Sequence, residues 1–300
     1  MSRYVLCRPE GGLNDMLSQI ERCCRYAEGT DRIVVVDTAH PSSDHFRDRL
    51  DRYLSLRQSR LVLADEALID ELNRLDAYPT HLGGQLRDYV HWYDRHSGQY
   101  FCSERGALLS FDFSTDHPHA VLVHHQAGRD RSSVFGLLRL KLLPALADEL
   151  TRRWEALGGD YAAIHVCHTD YRTNYQAAFP IIEGGPLRRL FVATDNASVL
   201  DAFRTRLGPE RVFSFAEPLF PAGVAIHRHP VTGDALYARN RDAILDVLLL
   251  ALARELHVLP LENRTHGTYS GYSQLALDLH RAKVLLQLAI VPARIRVGLE

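Results

Sequence analysis

Short apolar runs that end in polar or glycine-rich turns recur along the chain. Residues 4–7 (YVLC) predict a strand, and residues 33–36 (IVVV) form a continuous β-branched run, which is typical of a strand covered on both faces. Between them, apolar side chains recur every three or four residues from Leu13, which predicts an amphipathic helix that ends at Gly29. A strand, a helix and a second strand in this order indicate a parallel α/β sheet.

The second half of the chain repeats this order. Its predicted strands and helices cover residues 162–166, 190–193, 197–207, 212–214, 239–256 and 268–286. Between the two halves, residues 136–157 predict one long helix, interrupted or started near Pro144, that ends at Gly158 and Gly159. We place a domain boundary at this glycine pair. Residues 1–158 are then one Rossmann-like domain, and residues 159–300 are a second one.

Composition limits the class of protein. The 300 residues are 46% hydrophobic, which suffices for one large core or two smaller ones, and the net charge of -2 gives no general attraction to nucleic acid or to an anionic membrane. Residues 247–253 form the longest apolar run, which is too short to span a bilayer. The five cysteines are irregularly spaced and indicate neither a disulfide framework nor a structural zinc site. We therefore expect a cytoplasmic protein with at most peripheral membrane contact.

Polar residues cluster where three of the predicted strands end. The clusters are Glu10, Gly11, Gly12, Asn14 and Asp15; His165, His168, Thr169 and Asp170; and Thr194, Asp195 and Asn196. Ligands of open α/β sheets bind just beyond the carboxyl ends of the parallel strands. We therefore expect the three clusters to line a cleft between the two domains.

Segments in four regions of the chain resemble, in the same order, motifs of one superfamily of sugar transferases. Residues 11–15 (GGLND) resemble the opening of the bacterial nodulation fucosyltransferases and of the related core α-1,6-fucosyltransferases and protein O-fucosyltransferases. Residues 165–170 (HVCHTD) are similar to the superfamily's His-Val-Arg-Arg-Thr-Asp segment, and residues 191–196 (FVATDN) are similar to its Ala-Thr-Asp-Asp turn. Residues 244–246 (ILD) and 268–270 (TYS) resemble its helix aspartate and its Thr-Phe-Ser-Ser turn.

The resemblance implies a GT-B fold, in which the first domain faces the acceptor and the second holds a nucleotide-sugar donor. It also implies an inverting transfer from GDP-fucose that needs no metal ion and no cofactor. The chain contains no Asp-x-Asp sequence, the usual metal and diphosphate site of the other common glycosyltransferase fold, in agreement with this expectation. The expected acceptor is an oligosaccharide or lipid-linked glycan in bacterial surface polysaccharide synthesis, and no nucleic-acid partner is expected.

One position departs from the superfamily pattern. Cys167 stands where the superfamily has the arginine that neutralises the donor diphosphate, and His168 follows it. Arginine binds two phosphate oxygens through a rigid fork that cysteine and neutral histidine lack. Three explanations are open. Another cation (Arg8, Arg172 or Arg264) replaces the arginine, the donor is a CMP- or UDP-linked sugar or a simpler phosphate ester, or the protein has lost the reaction and binds a nucleotide or glycan without catalysing transfer.

An inverting transfer needs a general base for the acceptor hydroxyl and groups that stabilise charge on the leaving phosphate. Asp15 is the first candidate for the base, with helix capping as its structural alternative, and Glu10 is the second, with a turn role as its alternative. His168 is expected to face the cleft and is the third catalytic candidate. Gly11 and Gly12 would present backbone N–H groups to an anion, unless they form only a tight turn.

Further residues are predicted to bind the donor. Asp195 would bind ribose hydroxyls or base edges, unless it caps the following helix. Asp246 lies on an apolar helix face, where a carboxylate needs a partner, and a donor-site role is favoured. Thr268, Ser270 and Ser273 would hold phosphate, or else cap the last helix. Asn14, His165, Thr169, Asp170, Thr194 and Asn196 complete the predicted donor-binding set, and for His165 the alternative is packing in the strand with one ring nitrogen hydrogen-bonded.

Sixteen histidines raise the question of a metal site. The neighbouring pair His124 and His125 has no carboxylate at ligand spacing, and His165 and His168 lie in a strand and a turn, where their side chains need not converge. The sequence therefore predicts no metal site.

Overall fold

The computed structural model describes residues 2–41, 43, 45–169, 171–216, 231–263 and 267–295. The chain divides into two compact units, Met1–Lys141 and Leu142–Glu300. Each unit contains one sheet of parallel strands with helices packed on it.

The first unit is built on a five-stranded sheet. Its elements are β1 (Tyr4–Pro9), α1 (Leu13–Thr30), β2 (Ile33–Val36), β3 (Leu54–Leu56), β4 (Leu61–Leu63), α2 (Glu66–Leu72), β5 (Ala77–Tyr78), β6 (His91–Asp94), β7 (Gln99–Cys102), β8 (Val121–Gln126) and α3 (Ser133–Leu138). The strand order is β4-β2-β1-β8-β5, and each neighbouring pair is parallel. Strands β6 and β7 form a separate antiparallel hairpin. The strand β9 (Leu140–Leu142) pairs with β3.

Burial explains why β1 occupies the centre of this sheet. Val5, Leu6 and Cys7 are completely buried, as a strand covered on both faces requires. On one face, α1 packs against α3 at Gly136, where a Cβ atom would lie only 2.2 Å from the carbonyl oxygen of Leu17. Any larger residue at position 136 would therefore force the two helices apart.

Helix α1 begins and ends slightly differently from the prediction. Its N-cap is Gly12, in an extended conformation, so Asp15 does not occupy the capping position that was its structural alternative. Asp15 lies in the first turn instead, where a carboxylate interacts favourably with the helix dipole. The helix continues past Gly29 and ends when Asp31 adopts the left-handed conformation, with φ of 53°.

The second unit is built on a four-stranded sheet. Its elements are α4 (Pro144–Ala156), β10 (Ala162–Val166), α5 (Phe179–Gly184), β11 (Leu190–Thr194), α6 (Ala197–Leu207), β12 (Val212–Phe213), α7 (Gly233–Leu252), β13 (Glu255–Val258), α8 (Gly271–Arg281) and α9 (Lys283–Ala289). The strand order is β12-β11-β10-β13, again with parallel neighbours. In the described part of the chain, no helix has both the length and the apolar character that crossing a bilayer requires.

One continuous helix over residues 136–157 is wrong, because the structure has α3, β9 and α4 in its place, whereas the predicted interruption or start near Pro144 is confirmed. Pro144 has no backbone N–H and starts α4 rather than lying inside a helix. Helix α4 belongs to the second unit, since Arg153 forms ion pairs with Asp242 and Asp246 of α7. The division therefore falls between Lys141 and Leu142 instead of at the predicted glycine pair, Gly158 and Gly159. Acceptor and donor roles for the two units stay predictions.

Candidate active site

One carboxylate joins two strand-end loops of the second unit. Asp195 follows β11, and its Oδ1 accepts a hydrogen bond of 2.9 Å from the backbone N–H of His168. Its Oδ2 accepts a hydrogen bond from the hydroxyl of Thr169, and the Sγ of Cys167 lies 3.8 Å from the same oxygen. These three residues follow β10, the parallel neighbour of β11. Asp195 therefore holds the loop after β10 in place, rather than presenting an open carboxylate to a nucleotide.

The residue that caps α6 is Asn196, not Asp195. The Asn196 Oδ1 accepts hydrogen bonds from the backbone N–H groups of Ser198, at 2.9 Å, and Val199, at 3.3 Å. Its Nδ2 donates to the carbonyl oxygen of His168 at 3.2 Å, so Asn196 also binds the neighbouring loop. Thr194 lies at the same junction, where its hydroxyl oxygen accepts a 3.3 Å hydrogen bond from the backbone N–H of Asn196. Asp195 thus binds the loop after β10, whereas Asn196 both caps α6 and binds that loop.

His168 is half-buried in this junction. Its ring packs edge-on against Tyr175, with the ring centroids 5.3 Å apart. Its Nδ1 is buried and has no hydrogen-bond partner among the described residues. The predicted role of His168 in catalysis stays a prediction, and Asp170 lies outside the described residues.

His165 connects β10 to the start of α8. Its Nδ1 lies 2.6 Å from the hydroxyl oxygen of Ser273, and its ring lies 4.8 Å from that of Tyr272. Burial lowers the pKa of His165 to about 4, so the ring is neutral near pH 7. Ser270 is the N-cap of α8 and accepts a hydrogen bond from the backbone N–H of Ser273. Both serines therefore anchor the helix, whereas Thr268 is exposed beside them.

Asp246 belongs to a buried ion cluster. Arg153, which is 2% exposed, donates to Asp246 at 3.3 Å, to Asp242 at 2.5 Å and to Glu149 at 2.7 Å. Burial raises the pKa of Asp246 to about 7, although the charge of Arg153 opposes this shift. The partner that a buried carboxylate requires is thus inside the protein, which removes the argument for a donor-site role.

In the first unit, the side chain of Asp15 packs against the turn formed by Gly11 and Gly12. Gly11 has φ of +90°, and a Cβ atom there would lie 2.8 Å from the Cβ of Asp15. Burial raises the pKa of Asp15, while Arg129 and hydrogen bonds from the backbone N–H groups of Gly128 and Gly12 act in the opposite direction. The backbone N–H of Gly12, which was predicted to bind an external anion, therefore donates to Asp15 itself.

Glu10 is the other predicted base, and it is 1% exposed at the end of β1. Its Oε1 lies 2.9 Å from the Nε2 of His125, whose Nδ1 lies 2.7 Å from the hydroxyl of Tyr89. Because Glu10 is buried and already contacts His125, an acceptor hydroxyl cannot reach it easily. The half-buried Asp15 is therefore the better candidate for the general base. Asn14 is also buried, at 2% exposure.

Of the two proposed substitutes for the missing arginine that the structure describes, Arg8 and Arg172, Arg172 is the suitable one. Arg8 is 1% exposed, and its Nε donates to Asp37 at 2.8 Å. Arg264 lies outside the described residues. Arg172 follows β10, is exposed, and has no ion-pair partner for its side chain among the described residues. Cys167 is 9% exposed and cannot replace the charge.

No family model matches this sequence, and no curated protein sequence is similar to it. Solved structures are similar over nearly the whole chain. Fucosyltransferase NodZ from Bradyrhizobium has a TM-score of 0.61 and 16% identity, covering 92% of this chain and 93% of that chain. NodZ alpha-1,6-fucosyltransferase soaked with GDP-fucose has a TM-score of 0.59 and 17% identity, with 93% coverage of both chains. POFUT1 in complex with GDP has a TM-score of 0.56 and 11% identity, covering 93% of this chain and 96% of that chain.

The fold is that of the fucosyltransferases. The GT-B-like α/β fold expected from the order of the motifs is thereby confirmed. At these identities, the likeness to the fucosyltransferases concerns the fold, and the chemistry must be argued from the residues of this chain.

The fucosyltransferase-like fold also brings together residues that the sequence analysis missed. His40, His91 and His125 each place one ring nitrogen within 4.8 Å of the others, although the sequence predicted no metal site. Arg153, the centre of the ion cluster in the second unit, was likewise not singled out. The spacing of residues along the sequence indicates neither group, because each is assembled from elements that are distant along the chain.

Proposed function

We propose that this protein is a glycosyltransferase that uses a nucleotide-sugar donor, with a GDP-linked sugar as the first choice. The observation that carries the proposal is the junction at Asp195, which is made by residues of two segments that resemble fucosyltransferase motifs. The fold supports the proposal, since one similar structure is NodZ soaked with GDP-fucose and another is POFUT1 in complex with GDP. In α/β sheets, this edge beyond the strands is where ligands bind.

We extend the proposal to fucose as the sugar and to inversion at the anomeric carbon, without a metal ion on the donor diphosphate. The order of the four motifs supports fucose, and the lack of an Asp-x-Asp sequence supports a diphosphate bound by side chains. The proposed acceptor is an oligosaccharide or lipid-linked glycan used in bacterial surface polysaccharide synthesis.

In the proposed reaction, the carboxylate of Asp15 takes the proton of the acceptor hydroxyl. The acceptor oxygen bonds to the anomeric carbon, and the bond between that carbon and the phosphate oxygen breaks with its electron pair leaving on GDP. Arg172 stabilises the charge that develops on the leaving diphosphate, because its guanidinium can bind two phosphate oxygens.

The Asp15→Asn variant is expected to lower kcat about 10²–10⁴-fold, the usual contribution of a general base, while leaving GDP binding unchanged. Because burial raises the pKa of Asp15 above its usual value, the wild-type rate should fall as the pH drops through that raised pKa. Protonated Asp15 cannot accept the proton, and the asparagine variant should lack this acid limb. Initial rates between pH 4 and pH 8 measure both effects.

Asp31→Asn is the matched control, since Asp31 lies at the opposite end of the same helix and asparagine tolerates its left-handed backbone. Its rate should equal that of the wild type. A full rate in Asp15→Asn, or an unchanged acid limb, would remove Asp15 from the role of base.

The donor is tested by thermal unfolding with GDP, UDP, CMP and their sugar derivatives. A ligand at 100 times its Kd stabilises the native state by about 2.7 kcal/mol. GDP and GDP-fucose are expected to raise Tm more than the UDP and CMP compounds do. A preference for UDP or CMP would exclude the GDP donor, and no response to any sugar nucleotide would contradict the whole proposal.

A second function, nucleotide or glycan binding without catalysis, is favoured by one observation. The superfamily's phosphate-binding arginine is replaced by the buried Cys167, whose thiol faces Asp195. Release of GDP from GDP-fucose, followed by chromatography with and without glycan acceptors, separates the two functions. Donor binding without release of GDP supports the binding protein, and product analysis would identify a hydrolase.

A further inference from the structure

Three histidines from separate elements meet in the first unit. His40 follows β2, His91 begins β6, and His125 lies in β8. The ring centroids of His91 and His125 are 4.2 Å apart, and those of His40 and His125 are 5.5 Å apart. One nitrogen from each ring lies within 4.8 Å of the other two. The three side chains therefore converge on one point.

We propose that His40, His91 and His125 bind a divalent transition-metal ion of the zinc class. Nitrogen ligands lie about 2.0–2.1 Å from a tetrahedral zinc ion, so two of them are about 3.4 Å apart. Closing the observed gaps to that distance requires only small side-chain rotations. Imidazole suits zinc, copper and nickel, whereas magnesium and calcium prefer oxygen ligands.

The contacts of His125 fit a histidine that binds a metal ion through one ring nitrogen and contacts a carboxylate through the other. Its Nε2 lies 2.9 Å from Glu10, and its Nδ1 lies 2.7 Å from the hydroxyl of Tyr89. Metal-binding histidines commonly use their second nitrogen to contact a carboxylate, which fixes the ring. The neutral tyrosine hydroxyl is the easier partner to displace, so the ion would take Nδ1 while Glu10 keeps Nε2.

The surrounding charges and exposure are compatible with a bound ion. Arg8 is a cation near His40 and His125, and Asp37 binds it at 2.8 Å, while Glu10 adds a further negative charge beside His125. His40 is 4% exposed and His125 is completely buried, whereas His91 is half-buried. An ion can therefore enter from the side of His91, and three protein ligands leave a fourth position for water.

This inference is independent of sugar transfer. The proposed function assigns the donor diphosphate to Arg172 in the second unit, whereas all three histidines belong to the first unit. The metal site is not assigned a role in holding the diphosphate.

The test uses the full chain without a purification tag, after treatment with a chelator. Titration with Co²⁺ is expected to give the visible absorption of a four-coordinate site at one ion per chain, and calorimetry with Zn²⁺ gives the affinity. The half-buried His91 is the safest ligand to remove, and His91→Ala is expected to weaken binding at least tenfold and to abolish the Co²⁺ spectrum.

Two further variants make the result specific. His96→Ala changes an exposed histidine in the same hairpin and should bind as the wild type does. Tyr89→Phe removes the hydroxyl that competes for His125 and should bind at least as tightly as the wild type. Thermal unfolding checks that each variant is folded. The proposal is overturned if the wild type shows no such spectrum, if His91→Ala binds as tightly as the wild type, or if His96→Ala weakens binding equally.

Discussion

The Arg172→Ala variant is expected to transfer sugar about 10²–10³ times more slowly than the wild-type protein, the usual cost of removing one donor to a developing negative charge. Arg172 is the exposed cation on the loop after β10, and Arg8, the alternative, is already bound to Asp37. The same variant should bind GDP more weakly but guanosine equally well, because only the diphosphate meets the guanidinium. Kinetics with GDP-fucose and calorimetry with both ligands measure these effects.

Two controls accompany this experiment. Arg172→Lys keeps the charge but loses the two-pronged contact, so its rate should lie between those of the wild type and Arg172→Ala. Arg188→Ala removes an exposed arginine that precedes β11. It therefore lies at the amino-terminal ends of the parallel strands, whereas Arg172 follows their carboxyl ends, and the variant should leave the rate unchanged. Equal losses in Arg172→Ala and Arg188→Ala, or weaker guanosine binding in Arg172→Ala, would show that Arg172 does not act on the diphosphate.

Replacing Arg153 by methionine is expected to lower the free energy of unfolding by about 3–5 kcal/mol, because it leaves the buried Asp246 without its cation. Arg153 is 2% exposed and binds Asp242, Asp246 and Glu149. Urea unfolding at pH 8 measures the loss. At that pH the wild-type Asp246 is mainly charged, since burial raises its pKa to about 7.

The neighbouring Arg152 provides the comparison. It also binds Glu149, at 2.7 Å, but its side chain is 64% exposed, so Arg152→Met should cost less than about 1 kcal/mol. Adding Asp246→Asn to Arg153→Met should recover part of the lost stability, because one unpaired charge disappears. A loss for Arg153→Met no larger than that for Arg152→Met would contradict a role for the buried cluster in stability.

The elements with clear local signals could be predicted from the sequence. Helix α6 has the predicted bounds, Ala197–Leu207, because Asn196 caps its first turn and Gly208 follows its last residue. The region of β9 could not be predicted in this way. Leu140 and Leu142 suit either an amphipathic helix or a strand, and only pairing with the distant β3 decides between them.

The position of the candidate site could be predicted better than its contacts. Parallel strand ends bring Asp195 close to the loop after β10, as the sequence led us to expect. Periodicity does not show which of Asp195 and Asn196 caps the helix, since both side chains can accept the same hydrogen bonds. It also cannot supply the partner of Asp246, because Arg153 lies on another helix, 93 residues away.

The ion cluster on α4 has a consequence for dissecting the protein. A fragment that starts after Gly159 would keep Asp242 and Asp246 but lose the arginine that binds them. A fragment that starts at Leu142 would retain all three. The carboxyl-terminal half is therefore best produced with α4 attached. A fragment that begins after the glycine pair would lack the buried cation that its own carboxylates bind.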